Sequence, residues 1–315
     1  MSFVQYHKFV REDDIAILFM GMKRMYPIKV STDGVTHASK GNFYHNNIIG
    51  KPYGTRIETG KGSSAIVLYP TPELWTLCLP HRTQIIYTTD TSMICMYLDL
   101  QPGNVVIEAG TGSGSISHAF ARVIMPHGHL YTFDFHQPRV DLAREEFFAH
   151  GLAELVSCQH RDVVAEGFGQ DLLEKADAVF LDLPTPWLAI EHVIGVFRKS
   201  GGRFCGFSPC VEQVQKTCEA LKKFGFTDLY TCETLERKFR VAQHEIRVFE
   251  FDSCENENME EMSFSLIDNS EKQFFFNRKT KPKRNTRTVP VITARPLEEM
   301  KGKLPCLIIV RFLAC

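Results

Sequence analysis

Two textures of apolar and polar positions divide the chain. Up to about residue 75 the apolar runs are short (Ile15–Met20, Ile28–Val30 and Ala65–Leu68), and Gly34, Gly41, Gly50, Gly54, Gly60 and Gly62 fall between them. Short strands with frequent turns predict a small β-barrel-like N-terminal domain over residues 1–75. Tyr69–Trp75 carries two prolines and reads as the hinge out of it. From about residue 90, apolar runs of strand length alternate with amphipathic segments of helix length, the pattern of a parallel sheet with helices on both faces. Strands are expected at Val105–Glu108, His129–Phe133, Leu155–Gln159, Ala178–Leu181 and Arg203–Phe207. Helices are expected at Ser115–Ile124, Gln137–His150, Trp187–Arg198 and Val211–Phe224, and the pair Asp228–Glu233 and Glu245–Phe251 closes the sheet as an antiparallel hairpin. This α/β domain is expected over residues 76–252.

Residues 253–287 differ in kind, with acids first (Glu255, Glu257, Glu260, Glu261) and bases after (Arg278, Lys279, Lys281, Lys283, Arg284, Arg287). Charge segregation of this sort reads as a solvated, mobile insert, or, for its basic half, as an RNA contact or a nuclear-import signal. Residues 288–315 read as a C-terminal segment and candidate last strand.

Composition narrows the class. The 44% hydrophobic and 23% charged fractions are those of a globular protein, and a net charge of -1 excludes a strongly basic nucleic-acid binder, so any grip on RNA has to be local or come from a partner. Ten cysteines occur without a CxxC pair or a zinc-like histidine spacing, so no metal site is expected, and the thiols read as reduced in a cytosolic or nuclear compartment. No secretory signal or membrane span is expected: the opening residues lack a continuous apolar run, and Leu304–Leu313 is broken by Pro305 and Arg311.

The chemistry concentrates in Glu108-Ala-Gly110-Thr111-Gly112-Ser113-Gly114-Ser115, a glycine turn between a strand and a helix. Glycines let the backbone turn sharply and approach a ligand, and the helix start offers free N–H groups. Dinucleotide sites use GxGxxG, whereas this turn is GxGxG with an acid two positions ahead, which resembles motif I of the class I S-adenosylmethionine-dependent methyltransferases. Further acids fall at successive strand ends: Asp134 where ribose hydroxyls are held, Asp162 where an adenine amine is received, and Asp182 after the fourth strand. The lesser alternative for Asp134 is a cap on the following helix. Asp182-Leu183-Pro184-Thr185-Pro186-Trp187 resembles the acid-Pro-Pro-aromatic motif of adenine-amino methyltransferases with altered spacing. Trp187 can stack on a base or simply open a helix from the core.

The stretches Met1–Val4, Pro70–Thr76, Leu79–Ile86, Glu108–Ser115, Asp182–Trp187 and Phe207–Val214 together resemble the family of eukaryotic tRNA (adenine-58-N1)-methyltransferase catalytic subunits. The resemblance implies a small β-domain before a Rossmann-like class I methyltransferase sheet, S-adenosylmethionine as cofactor and tRNA as substrate. It also implies an α2β2 heterotetramer with a homologous non-catalytic subunit, and a nuclear location. By the same resemblance Asp182 is the catalytic aspartate. Donor binding falls to Gln84, Tyr87, Glu108, Gly110, Thr111, Gly112, Ser113, Gly114, Ser115, Asp134, Arg139, Asp162, Val163 and Asp182. Substrate contacts fall to Met20, Gly21, Met22, Leu183, Pro184, Trp187, Phe207, Ser208, Pro209 and Gln213. Two departures stand out: Asp134 replaces the longer Glu usual at the ribose position, and the chain from about Pro290 lacks the family's threonine-rich finish. The rival readings are a non-catalytic RNA-binding subunit of the same fold and a nicotinamide dehydrogenase. The intact glycine turn and Asp182 weigh against the first, and the GxGxG spacing weighs against the second.

Overall fold

A computed structural model describes residues 3–22, 24–38, 41–59, 62–235, 239–249, 286–296 and 306–312. It divides into two compact units, residues 1–235 with 302–315, and residues 236–301. Most of the charged stretch 253–287 lies outside the described residues.

The first unit opens with β1 (Ile15–Phe19), β2 (Met25–Lys29), β3 (Val35–Ala38), β4 (Gly41–Tyr44), β5 (Arg56–Glu58) and β6 (Ser64–Leu68). Four of these form an antiparallel sheet in the order β2-β1-β6-β5, and β3 and β4 make a separate hairpin. The three-residue β5 ends the sheet, so among the described residues the strands pair as an open sheet. Leu18, Val30, Phe43, Ile48 and Val67 fill its core. The stretch read as a hinge instead starts a helix, α1 (Pro72–Cys78): Thr71 caps Leu74 N, Pro72 occupies the first turn where its missing N–H costs nothing, and Glu73 faces the positive helix end.

After α2 (Thr88–Tyr97) the chain alternates β7 (Val105–Ala109), α3 (Ser115–Ile124), β8 (His129–Asp134), α4 (Gln137–Ala149), β9 (Val156–His160), α5 (Val163–Glu166), β10 (Ala178–Leu181), α6 (Ile190–Val196), β11 (Gly202–Ser208), α7 (Val211–Lys223) and β12 (Thr227–Glu233). The strands run parallel in the order β11-β10-β7-β8-β9, with successive residues turned to opposite faces. Val106, Phe180 and Cys205 pack with α3 and α4 on one face, while Ile107, Val179, Leu181 and Phe204 pack with α6 and α7 on the other. Burial on both faces is why these strands read as continuous apolar runs.

The sheet closes differently from the expected local hairpin. β15 (Cys306–Phe312), from the far end of the chain, inserts between β11 and β12 and runs antiparallel to both. Residues Glu245–Phe249 instead belong to β13 (Phe239–Phe249), which pairs over its full length with β14 (Thr286–Pro296) in the second unit. Proximity in sequence favoured the wrong partner; an edge strand with open N–H and C=O groups takes whichever strand the rest of the chain delivers.

Candidate active site

The glycine turn leaves β7 and crosses the carboxyl edge of the sheet. Gly110 and Thr111 donate their N–H groups to the Phe133 carbonyl at 2.8 and 3.2 Å, tying the turn to β8. Gly110 has φ +100°, and a Cβ there would lie 2.3 Å from the Asp182 carbonyl oxygen. Glycine is therefore required at 110 because the turn and the end of β10 touch backbone to backbone. Thr111 bonds Thr132, hydroxyl to hydroxyl, at 2.6 Å. Ser113 Oγ accepts from Arg82 N and Thr83 N at 2.9 and 3.2 Å, and Ser115 donates to Ile86 O at 3.2 Å while contacting Thr76 Oγ1 at 2.8 Å. The side chains of Thr111, Ser113 and Ser115 thus fasten the turn to its neighbours and clasp the loop 79–87 against it. Backbone groups of the turn remain to meet a ligand.

Glu108 lies fully buried beneath the turn, with Oε2 accepting from Ser117 Oγ at 2.7 Å and Oε1 without a partner. Burial, opposed by hydrogen bonding from Ser117 and Thr132 and reinforced by the Asp182 and Asp134 charges, pushes its pKa up to about 8. Asp134, also buried, accepts from Gly112 N at 3.1 Å, His136 N at 2.9 Å and, weakly, Arg139 Nη1 at 3.4 Å. A carboxylate offers about four acceptor positions, so Asp134 keeps one spare. Arg139 also covers the exposed Phe135 ring at 5.2 Å.

Asp162 is exposed and caps α5, accepting from Val164 N and Ala165 N at 3.0 and 3.3 Å, and Val163 beside it is buried in the core. Asp182 is half-buried just past β10; its N–H is held by Ala109 O at 2.9 Å, and its carboxyl has no hydrogen bond among the described residues. Desolvation pushes that carboxyl up to about 6.

Opposite Asp182, Gln213 on α7 donates to Pro184 O at 2.9 Å and keeps Oε1 buried without a partner. Ser208 at the end of β11 is fully buried with its hydroxyl unpartnered, between half-buried Phe207 and exposed Pro209. Leu183 packs on the core, and Trp187 is half-buried with Lys216 Nζ 4.9 Å over its ring. Gln84 and Tyr87 are exposed in the clasped loop. Met20, Gly21 and Met22 form the turn of the β1–β2 hairpin in the N-terminal sheet and join none of these contacts.

Sequence reasoning missed Arg82, whose ion pair with Glu146 and backbone bond to Ser113 tie the clasped loop to both α4 and the glycine turn. It also missed His118 and His150. The partners lie tens of residues apart, and no periodicity marks them. Unspent hydrogen-bonding capacity gathers along this edge: Glu108 Oε1, Gln213 Oε1, Ser208 Oγ and Arg82 Nη1 are buried and unpartnered, Asp182 is bare and Asp134 has room. With Asp182, Asp134 and Gln213 Oε1 able to accept, the edge fits a cationic ligand carrying hydroxyl and amine groups.

A glycine turn after the first strand, acids after the second and fourth, and an antiparallel strand wedged beside the fifth define a class I, Rossmann-like methyltransferase fold. The fold is shared with solved structures: a SAM-dependent O-methyltransferase from Thermotoga maritima (TM-score 0.71, 23% identity, 97% of each chain covered), and the tRNA (m1A58) methyltransferase TrmI from Aquifex aeolicus (TM-score 0.66, 22% identity, 97% of this chain and 99% of that one). Residues 64–311 match the family described as tRNA methyltransferase complex GCD14 subunit, and the chain belongs to that family. It is 43% identical over 244 residues to the tRNA (adenine(58)-N(1))-methyltransferase catalytic subunit of Dictyostelium discoideum, covering 76% of this chain and 78% of the relative. Against the subunit so named in Candida albicans it is 41% identical over 250 residues, covering 78% and 74%.

Proposed function

We propose that this chain is the catalytic subunit of a tRNA (adenine-58-N1)-methyltransferase, moving a methyl group from S-adenosylmethionine to N1 of an adenine in the tRNA T-loop. The observation that carries this reading is the bare, half-buried carboxyl of Asp182 beside the glycine turn, in a chain whose relatives bear that name.

S-adenosylmethionine, when bound, supplies an electrophilic methyl group on a sulfonium. Glu108, the turn Gly110–Ser115, Asp134 and Arg139 are the residues to hold it, with Asp134 offering its spare acceptor to a ribose hydroxyl. Asp162 Oδ1 is occupied by its helix cap, so its contact to an adenine amine falls to the other oxygen. Asp182 faces the target base. Attack by a neutral ring nitrogen builds positive charge on the adenine, and a carboxylate hydrogen-bonded to the exocyclic amine stabilises it. With its pKa near 6, Asp182 is largely ionised at pH 7 yet basic enough to take a proton afterwards. Ser208, Gln213 and Trp187 supply polar and stacking contacts to an extruded base. The clasped loop 79–87 keeps water from the reacting atoms.

A net charge of -1 gives the chain little general attraction for phosphates. That supports an α2β2 assembly in which a homologous non-catalytic subunit carries much of the RNA grip, and we propose a nuclear location for it. The test is a nucleoside digest of tRNA incubated with methyl-labelled S-adenosylmethionine, the full chain and the partner subunit. Labelled 1-methyladenosine from the T-loop is expected; label on another atom, or none, refutes the assignment.

A further inference from the structure

Beneath the glycine turn two histidines share a hydrogen bond that the reaction does not need for its chemistry. His118 Nδ1 lies 2.6 Å from the Gly114 carbonyl oxygen, and His118 Nε2 lies 2.7 Å from His150 Nδ1. Both residues are almost fully buried. Phe3 stacks on His150 at 4.6 Å, Trp75 stands edge-on to it at the same distance, and Phe147 packs 5.4 Å from His118.

Protons in this pair can be assigned from the partners. A carbonyl only accepts, so His118 carries its proton on Nδ1. Burial lowers the pKa of both imidazoles, and Arg82 adds to the effect, so each ring is neutral at pH 7 and His118 Nε2 is an acceptor. His150 therefore donates from Nδ1, and the relay runs one way, from His150 through His118 to the Gly114 carbonyl.

That carbonyl matters because of what the start of α3 lacks. Gly114 stands at the N-cap in the left-handed conformation, φ +72°, and no side chain caps the helix. The first-turn N–H groups are consequently left open toward the carboxyl edge. Gly114 O also accepts from His118 N, but at 3.3 Å, so the imidazole is the shorter tether. Because the peptide is planar and trans, fixing the Gly114 carbonyl fixes the opposed Ser115 N–H.

We infer that His118, held in one tautomer by His150, is a positioning residue that sets the orientation of the glycine turn for S-adenosylmethionine from below, leaving the helix start uncapped for the ligand. This rests on the proposed donor.

The experiment compares the full chain with His118→Leu and His118→Asn, the latter keeping a donor where Nδ1 stood. Calorimetry with S-adenosylmethionine should give a Kd about tenfold weaker for the Leu variant and within about threefold for the Asn variant. At saturating S-adenosylmethionine the Leu variant should keep a near-normal kcat, so that the loss appears in KM for the donor. In long-range 15N–1H NMR spectra the native chain should show His118 and His150 as Nδ1–H tautomers. A folded Leu variant with unchanged Kd, or His118 found as the Nε2–H tautomer, overturns the inference; the NMR result decides even if the Leu variant does not fold. If the native chain itself fails to bind S-adenosylmethionine, the donor assignment falls, a different failure from equal binding by native chain and variant.

Discussion

Strand β10 carries an aspartate just before it and another just after it, and the fold treats them in opposite ways. Asp177, at the entry, accepts from Val105 N at 2.8 Å and pairs with Arg198 Nη1 at 2.6 Å. Its neighbourhood is equally complete: Arg198 Nε donates to Lys175 O at 3.1 Å, and Arg203 pairs with Asp99 at 2.7 Å. Asp182, at the exit, has no side-chain partner among the described residues, and its burial raises its pKa to about 6. Around it stand the unpartnered Glu108, Ser208 and Gln213 atoms. A satisfied charge stabilises a fold, whereas a buried bare one costs stability and persists where a ligand completes it. The two edges of one sheet therefore divide the work, the amino edge holding the strands in place and the carboxyl edge receiving ligands.

Breaking the exit should hurt most. Asp182→Ala is expected to slow methylation of tRNA by about a hundredfold or more, read from single-turnover rates at saturating S-adenosylmethionine. Asp134→Ala should follow, weakening S-adenosylmethionine binding about tenfold in calorimetry, since it removes both the spare acceptor and the anchor of Gly112 N.

Asp177→Ala sharpens the contrast from the other side. It leaves the Val105 N–H without its acceptor and Arg198 without its charge, so denaturant unfolding should show about 2 kcal/mol less stability. Donor affinity and methylation rate should stay at native values.

The smallest effect concerns stability against pH. The Asp182 carboxyl has a folded-state pKa of about 6, above its ordinary 3.8, so the folded chain holds this proton longer than the unfolded one. Its contribution to stability is complete below about pH 4 and is lost as pH climbs through 6. Asp182→Asn should therefore melt slightly above the native chain at pH 7, a difference that disappears by pH 4. A variant that melts lower at pH 7 contradicts this reading of the exit.

Much of this division could be read from the sequence, and the reasons differ between elements. Strands β7 to β11 were legible because parallel strands buried on both faces leave runs such as Val105–Ala109 and Ala178–Leu181. The glycine turn was legible because its spacing is a local property. The pairing of β15 between β11 and β12 was not, because Cys306–Phe312 lies about a hundred residues from β11 and about eighty from β12, and local pattern says nothing about which edge a strand will find. At Tyr69–Trp75 the two prolines suggested a hinge, although Thr71, Pro72 and Glu73 together already spelled a helix start.

The site divides in the same way. Acids at strand ends announced themselves through the alternation of strand and helix. Their states did not: that the Asp134 carboxyl is bonded three times and the Asp182 carboxyl not at all among the described residues depends on which N–H groups the tertiary fold presents. His118 and His150 read as two unremarkable histidines until α3 and the end of α4 bring Nε2 of one to 2.7 Å from Nδ1 of the other.

The claim that Asp182 is the bare acid that serves the reaction is tested most directly by the pH dependence of the single-turnover methylation rate. The native chain should show a rate that climbs with pH to a plateau, with a midpoint near 6 where the Asp182 carboxyl ionises. A rate that stays flat from acid to neutral pH while S-adenosylmethionine and tRNA remain bound would contradict it.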